Sequence, residues 1–232
     1  AVRLRVYACL GHRAPVVGGG AATRFVHPVW WARLAVAAGL VACMTRRGGL
    51  RYPGLVPNER GLARALDNDV HDIAIFGSAT ETFAQRNLNR SLAGSIEMFE
   101  PVVAKARGAG IDVRAYLSMC FGDPWEGAVA VDQVVDVGAR LLGLGCTQLS
   151  LGDTIGVATP GQVTALLSAF AARGIGAERL AVHFHDTYGQ ALSNTLVALQ
   201  HGITTIDASA GGLGGCPYAK NATGNLATED LV

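Results

Sequence analysis

The sequence predicts an α/β fold of the (β/α)8 TIM-barrel type, and two observations lead to it. From about residue 52 onward, short strand-like runs alternate with longer amphipathic runs. Such alternation is typical of a parallel sheet with helices outside it. Residues that can carry chemistry come directly after several of these strands, where (β/α)8 enzymes build their active sites. A doubly wound sheet is the alternative, but the glycine-rich turn expected after its first strand is not evident.

The elements follow in order along the chain. Strands are predicted at 52–56, 72–76, 112–117, 147–151, 180–185 and 204–208. Helices are predicted at 59–66, 92–107, 129–144, 160–172 and 189–200. Several helices run into a glycine (Gly110, Gly145 and Gly202), as helix C-termini commonly do. Pro160 suits a first helical turn.

Composition excludes several classes of protein. At 232 residues and 50% hydrophobic, the chain can bury a substantial core as one domain. A net charge of +1 without a basic stripe argues against nucleic acid as a partner. No apolar run is long enough to span a bilayer, and the first residues lack the pattern of a secretory signal. Five widely spaced cysteines indicate reduced thiols, so we expect a cytoplasmic protein.

Two histidines one residue apart mark the strand at 180–185. Side chains alternate faces along a strand, so His183 and His185 project to the same side. Neutral imidazole is a common ligand of divalent metals, and this pair supplies half a coordination shell. Farther along, Cys216 lies in a glycine-dense run where backbone can approach a ligand closely, and Asn225 offers a carbonyl oxygen. The combination favours metal-assisted chemistry.

Each of these features also has a purely structural interpretation. A His-x-His pair on a strand is more often held by backbone partners than by a metal. A single cysteine is usually a small buried hydrophobe, and a glycine run usually marks turns. The structural interpretation is weakened because all three features follow one another at consecutive strand ends. Both interpretations stay open at this point.

Longer motifs carry a resemblance to a known family. They read SLGDTIG at 150–156, HFHDTYGQA at 183–191, GGLGGCPYA at 211–219 and GNLATEDLV at 224–232. Together they resemble the hydroxymethylglutaryl-CoA lyases, which are (β/α)8 barrels of the DRE-TIM metallolyase superfamily. The cysteine loop is specific to these lyases, whereas the His-x-His alone also fits isopropylmalate synthase and related aldolases.

The resemblance implies a metal and a reaction. His183, His185 and Asn225 match three protein ligands of Mg²⁺ or Mn²⁺ in the family. The implied reaction is cleavage of 3-hydroxy-3-methylglutaryl-CoA to acetoacetate and acetyl-CoA, as in leucine catabolism and ketone-body metabolism. An acyl-CoA is thus the implied partner, and a homodimer the implied assembly.

Further site residues are implied in the same way. Cys216 matches the loop cysteine of proton transfer, and it is grouped with His183 and Asp153 as catalytic. Arg114 and Asn87 match substrate-binding positions. For two of them a structural role competes, because an aspartate before threonine can cap a turn and an arginine at a strand end can be a solvated charge.

Departures from the family concern mainly the first residues. The Arg-Asp-Gly-Leu-Gln motif, which supplies a metal ligand and an enolate-stabilising arginine, has no counterpart here. Ala21 stands where a functional glutamate is expected, and Met119 and Asp123 replace thiols. We therefore expect a divergent segment at 1–20 and an incomplete barrel at 21–232, with the first βα unit and the closing helix missing or altered. Three functions stay open: an impaired lyase, a non-catalytic remnant or fragment of the fold, and a related acyl-CoA aldolase or synthase.

Overall fold

A parallel sheet of six strands organises the described part of the chain, which in this computed structural model comprises residues 51–215 and 224–232. The strands are β1 (Gly54–Leu55), β2 (Asp72–Ser78), β3 (Asp112–Ser118), β4 (Gln148–Asp153), β5 (Leu180–Phe184) and β6 (Ile206–Asp207). The helices are α1 (Glu59–Asp67), α2 (Glu81–Leu88), α3 (Leu92–Gly108), α4 (Val131–Gly143), α5 (Pro160–Ala172), α6 (Ala191–Gln200) and α7 (Thr228–Leu231). The predicted divergent segment at 1–20 and Ala21 lie outside the described residues.

The strands lie side by side in chain order, and every neighbouring pair is parallel. In a doubly wound sheet the order reverses at a switch point, and no reversal occurs among the six described strands. Consecutive parallel order with a helix in nearly every connection is the arrangement of a (β/α)8 barrel. The predicted (β/α)8-barrel type of fold is confirmed by the six described strands, and the doubly wound alternative is wrong.

The two faces of the sheet differ in character. Outward-facing residues such as Val113, Leu117 and Leu149 are fully buried against the helices. Packing is tight here, because a Cβ on Gly138 of α4 would lie 2.8 Å from side-chain carbons of both Leu149 and Phe170. The inward-facing residues between them, such as Arg114 and Ser150, are largely polar. No helix within the two described ranges is long and apolar enough to cross a membrane.

Several element boundaries differ from the predicted ones. Helix α2 was not predicted, because only Phe83 and Ala84 of its eight residues are buried and most of the others are polar. Strands β1 and β6 are two residues long, shorter than their apolar runs suggested. Strand β5 ends at Phe184, so His185 lies just beyond it, in an isolated bridge with Asn225.

Candidate functional site

Two imidazoles meet at the carboxyl end of β5. The ring centroids of His183 and His185 are 5.3 Å apart, with 53° between the ring planes. His185 is buried at 4% exposure, whereas the His183 side chain is 25% exposed. Burial, together with the neighbouring His183, lowers the pKa of His185 to about 3. His185 is therefore neutral at physiological pH and keeps a lone pair that can bind a metal.

Asn225 is held against this pair by the glycine-rich loop. Its backbone N–H donates to Gly212 O at 3.0 Å, and its Nδ2 donates to Leu213 O at 3.0 Å. A Cβ on Gly214, whose φ is +110°, would lie 2.8 Å from that Nδ2, so glycine is required for this close approach. Because Nδ2 is fixed by a carbonyl, the amide oxygen Oδ1 is the atom left to act as a ligand.

Three buried atoms at this end of the barrel lack a hydrogen-bond partner among the described residues: Asn225 Oδ1, His185 Nδ1 and His183 Nδ1. Buried polar atoms are rarely left so unless a ligand, ion or water satisfies them. One ring nitrogen of each imidazole and the Asn225 oxygen suit a divalent cation that accepts nitrogen and oxygen ligands, and the other ring nitrogen of each imidazole is left for a hydrogen-bond partner. Nowhere in the described ranges, this site included, does a group of three or more His, Cys, Asp or Glu side chains offer a metal site, so Asn225 is the third candidate ligand. The set at hand is half a shell, which further ligands must complete.

Below the histidines lies a buried ion pair that the sequence interpretation did not identify. Arg114 Nη2 donates to both carboxylate oxygens of Asp207 at 2.8 Å, and Ser150 Oγ donates to Oδ2 at 2.8 Å. Burial works to raise the pKa of Asp207, but the charge of Arg114, together with His183 and Ser150, outweighs it and holds that pKa below its usual value. Arg114 is 4% exposed, so its interpretation as a solvated charge is wrong. The sequence feature that could have identified Asp207 as a site residue is the presence of an acidic residue within a predicted strand.

The same carboxylate lies close to the first histidine. Asp207 Oδ2 is 3.6 Å from Nδ1 of His183, which is too long for a hydrogen bond but within reach of one after a small adjustment. The strand register pairs His183 with Asp207 directly, across β5 and β6. The ion pair therefore adjoins the candidate ligands.

Asp153 ends β4 and is almost fully buried. Its carboxylate accepts the backbone N–H of Val157 at 2.9 Å and of Ala158 at 3.1 Å. Burial raises the pKa of Asp153 to about 6, although these amides and His183 oppose the rise. The residue thus caps the loop before α5, as its structural interpretation expected, and it also titrates near neutrality.

Other candidates are not joined to this cluster by the described contacts. Asn87 is half-buried near the end of α2, and within the described ranges no hydrogen bond or ring contact connects it with the histidines. Cys216 lies outside the described residues. Met119 and Asp123, the departures at the β3 end, are buried: the Met119 N–H donates to Thr154 Oγ1, and Asp123 accepts from Thr80 Oγ1.

Comparisons with known proteins agree with this arrangement. The HMGL-like family model matches residues 51–232. Hydroxymethylglutaryl-CoA lyase, mitochondrial, of Bos taurus is 47% identical over 211 residues, which are 91% of this chain and 65% of the bovine protein. The chain thus spans slightly less than two thirds of that relative.

Two solved structures are similar as well. Hydroxymethylglutaryl-CoA lyase from Pseudomonas aeruginosa has a TM-score of 0.82 at 47% identity, with 89% of this chain and 68% of that chain covered. An HMG-CoA lyase from Acinetobacter baumannii, in complex with coenzyme A and 3-methylmalate, has a TM-score of 0.82 at 34% identity. The match covers 89% of this chain and 67% of that chain.

Proposed function

This chain belongs to the HMGL-like family, and from that premise we propose that it is a metal-dependent carbon–carbon lyase acting on 3-hydroxy-3-methylglutaryl-CoA. The products are acetoacetate and acetyl-CoA. One observation carries the proposal: two same-face imidazoles lie beside an amide whose oxygen has no hydrogen-bond partner among the described residues. The similar proteins named as lyases of this substrate, one of them bound to coenzyme A, support the choice of an acyl-CoA.

His183, His185 and Asn225 are the residues we propose to hold the cation, Mg²⁺ or Mn²⁺. When bound, such a cation supplies positive charge that binds substrate oxygens and stabilises negative charge on them. His185 suits this task because it is neutral, and Asn225 suits it because the glycine-rich loop fixes its amide. Asn225 is thus preorganised by a backbone contact rather than by the metal.

Asp153 is the residue we propose as the base that takes the tertiary hydroxyl proton. A pKa of about 6 leaves most of the carboxylate ionised at neutral pH, while it remains a stronger base than an ordinary aspartate. As the hydroxyl becomes a ketone, the bond to the acetyl-CoA carbon breaks and its electron pair forms the enolate. Protonation of that carbon completes acetyl-CoA, and the family resemblance assigns this proton to Cys216.

Two further residues are proposed to bind the acyl-CoA. Asn87 stays a proposal from the family motif, since the described contacts do not connect it with the histidines. Arg114 would act from within its buried pair with Asp207. Homodimerisation and a cytoplasmic location also stay proposals. Sedimentation tests the first, and fractionation of the source cells tests the second, because the bovine relative is named mitochondrial.

A non-catalytic form of the fold is the second candidate. One observation favours it: within the described ranges, no carboxylate joins the two histidines and Asn225 to complete a metal site. A related acyl-CoA aldolase or synthase would share the histidine pair, and it differs from the lyase in the direction and substrate of the reaction.

The deciding experiment measures acetoacetate and acetyl-CoA from the purified 232-residue chain with Mn²⁺ and 3-hydroxy-3-methylglutaryl-CoA. We expect equal amounts of the two products at a low rate, because the Arg-Asp-Gly-Leu-Gln motif has no counterpart in the sequence, and His183→Ala should abolish that rate. Condensation of acetyl-CoA with 2-oxo acids is assayed in parallel. Product from condensation alone would favour the synthase, and a folded, Mn²⁺-binding chain without either activity would favour the non-catalytic form.

A further inference from the structure

We infer that Asp207 is a positioning residue that holds His183 in one tautomer, with the proton on Nδ1, and thereby leaves the lone pair on Nε2 for the site. The inference deepens the proposed function, and its catalytic consequence rests on that function. The juxtaposition of the imidazole with the carboxylate does not depend on it.

The carboxylate of Asp207 is immobilised. It is 3% exposed, Arg114 Nη2 contacts both of its oxygens, and Ser150 Oγ contacts one. These donors come from β3 and β4, whereas Asp207 is on β6, so the carboxylate is tied across the inside of the sheet. A carboxylate held by charge-assisted hydrogen bonds on both oxygens cannot rotate away from its neighbours.

The ring of His183 is confined by what surrounds it. Tyr116 meets it edge-on at 6.3 Å between centroids, and Arg114 in turn lies over the Tyr116 ring at 4.8 Å. His185 flanks it at 5.3 Å. Within this enclosure Nδ1 is buried, has no hydrogen-bond partner among the described residues and lies 3.6 Å from Asp207 Oδ2.

A protonated Nδ1 is the state that this geometry favours. A movement of about 0.6 Å would bring Nδ1 and Oδ2 to a normal hydrogen-bond distance, and such contacts often tighten when a ligand binds. The opposite tautomer would place a buried lone pair against a carboxylate, which is repulsive. Histidines that bind metals commonly donate their other ring N–H to a carboxylate, which fixes the orientation of the ring.

The test is a long-range ¹⁵N–¹H NMR spectrum of the metal-free, ¹⁵N-labelled chain at pH 8, where a histidine is normally neutral. His183→Gln assigns the signals. We expect the Nδ1–H tautomer for His183 in the parent chain, and a shift towards Nε2–H in Asp207→Asn. Ser150→Ala, which keeps the carboxylate, should retain Nδ1–H. A parent spectrum showing Nε2–H overturns the inference, even if Asp207→Asn fails to fold.

A second readout connects the tautomer with the site. By electron paramagnetic resonance, Asp207→Asn should bind Mn²⁺ on the order of 10- to 100-fold more weakly than the parent, whereas Ser150→Ala, which keeps the carboxylate, should bind Mn²⁺ as the parent does. Equal Mn²⁺ affinity in the two proteins overturns the positioning role. The proposed function fails separately: a chain with Nδ1–H that never cleaves 3-hydroxy-3-methylglutaryl-CoA upholds the inference and rejects the lyase. A cleaving chain with Nε2–H does the reverse.

Discussion

Replacing Arg114 by methionine should destabilise the fold by about 3–5 kcal/mol, the range seen when one partner of a buried ion pair is removed. The side chains of Arg114 and Asp207 are 5% and 3% exposed and lie 2.8 Å apart. At an effective dielectric constant of about 20, that separation corresponds to an attraction of about 6 kcal/mol. Desolvation of both charges offsets much of it, so the intact pair contributes little. The variant keeps the burial cost of Asp207 and loses the charge that compensates it.

The loss should depend on pH in a definite direction. In the parent chain Arg114 holds the pKa of Asp207 below its usual value. Without Arg114, burial raises that pKa, opposed only by Ser150 and His183. An aspartate whose pKa is raised on folding destabilises the folded state above the unfolded pKa, and the penalty disappears below it. The deficit of Arg114→Met should therefore be largest at neutral pH and shrink as the pH approaches about 4, the ordinary pKa of aspartate.

Urea unfolding followed by circular dichroism at pH 7.5 and pH 4.5 measures both effects. Arg173→Met is the matched control, because Arg173 pairs with Asp136 at 3.0 Å on the surface, where both side chains are more than half exposed. That variant should cost less than about 1 kcal/mol. Adding Asp207→Leu to Arg114→Met should recover most of the lost stability, since the buried charge is gone. A loss for Arg114→Met no larger than that of Arg173→Met would refute the reasoning.

Three further predictions concern the proposed chemistry. Asp153→Asn should lower kcat/KM by about 10²- to 10⁴-fold. Because burial raises the pKa of Asp153 to about 6 and the base must be ionised, the activity of the parent should fall below pH 6, and this fall should be absent in the variant. An unchanged pH–rate profile would count against this base. Cys216 should react with iodoacetamide faster than Cys146, because burial raises the pKa of Cys146 to about 12. Mass spectrometry of samples taken over time measures both rates, and equal labelling would indicate that Cys216 is a structural thiol. A third variant carries a grafted family amino terminus with Arg-Asp-Gly-Leu-Gln, Ala21→Glu and a closing helix. It should cleave 3-hydroxy-3-methylglutaryl-CoA on the order of 100-fold faster or more, and the gain should vanish with His183→Ala. Full activity in the ungrafted chain would show that the Arg-Asp pair is not needed.

The sequence predicts the architecture well where side-chain patterns are local. Strands β2 to β5 and helices α3 to α6 are rich in apolar residues, and their predicted bounds agree with the observed ones within a few residues. Helix α2 lacks that signal, since its buried surface comes from Phe83 and Ala84 alone. Strands β1 and β6 are two residues long, shorter than their apolar runs predicted.

The candidate site divides in the same way. Alternation along a strand is sufficient to place His183 and His185 on one face, and the structure shows the two rings adjacent. The pairing of Arg114 with Asp207 spans 93 positions in sequence, so no spacing rule points to it. Only the fold brings β3 and β6 close enough for the contact, and only the burial of both residues makes the contact important for stability.

The bond between Arg114 and Asp207 also reports on the curvature of the sheet. Neighbouring strands lie about 4.8 Å apart, so on a flat sheet β3 and β6 would be separated by about 14 Å. Side chains standing perpendicular to such a sheet would not meet at 2.8 Å. The ion pair is therefore a chord across the concave side of a bent sheet. Because the ion pair has a fixed length, it limits how far the sheet can flatten. His183 lies beside the ion pair, so the curvature of the sheet and the orientation of the His183 ring are determined together. Substitutions on the outer, helix-covered face that change the curvature of the sheet should therefore change the chemistry at His183 without contacting that residue.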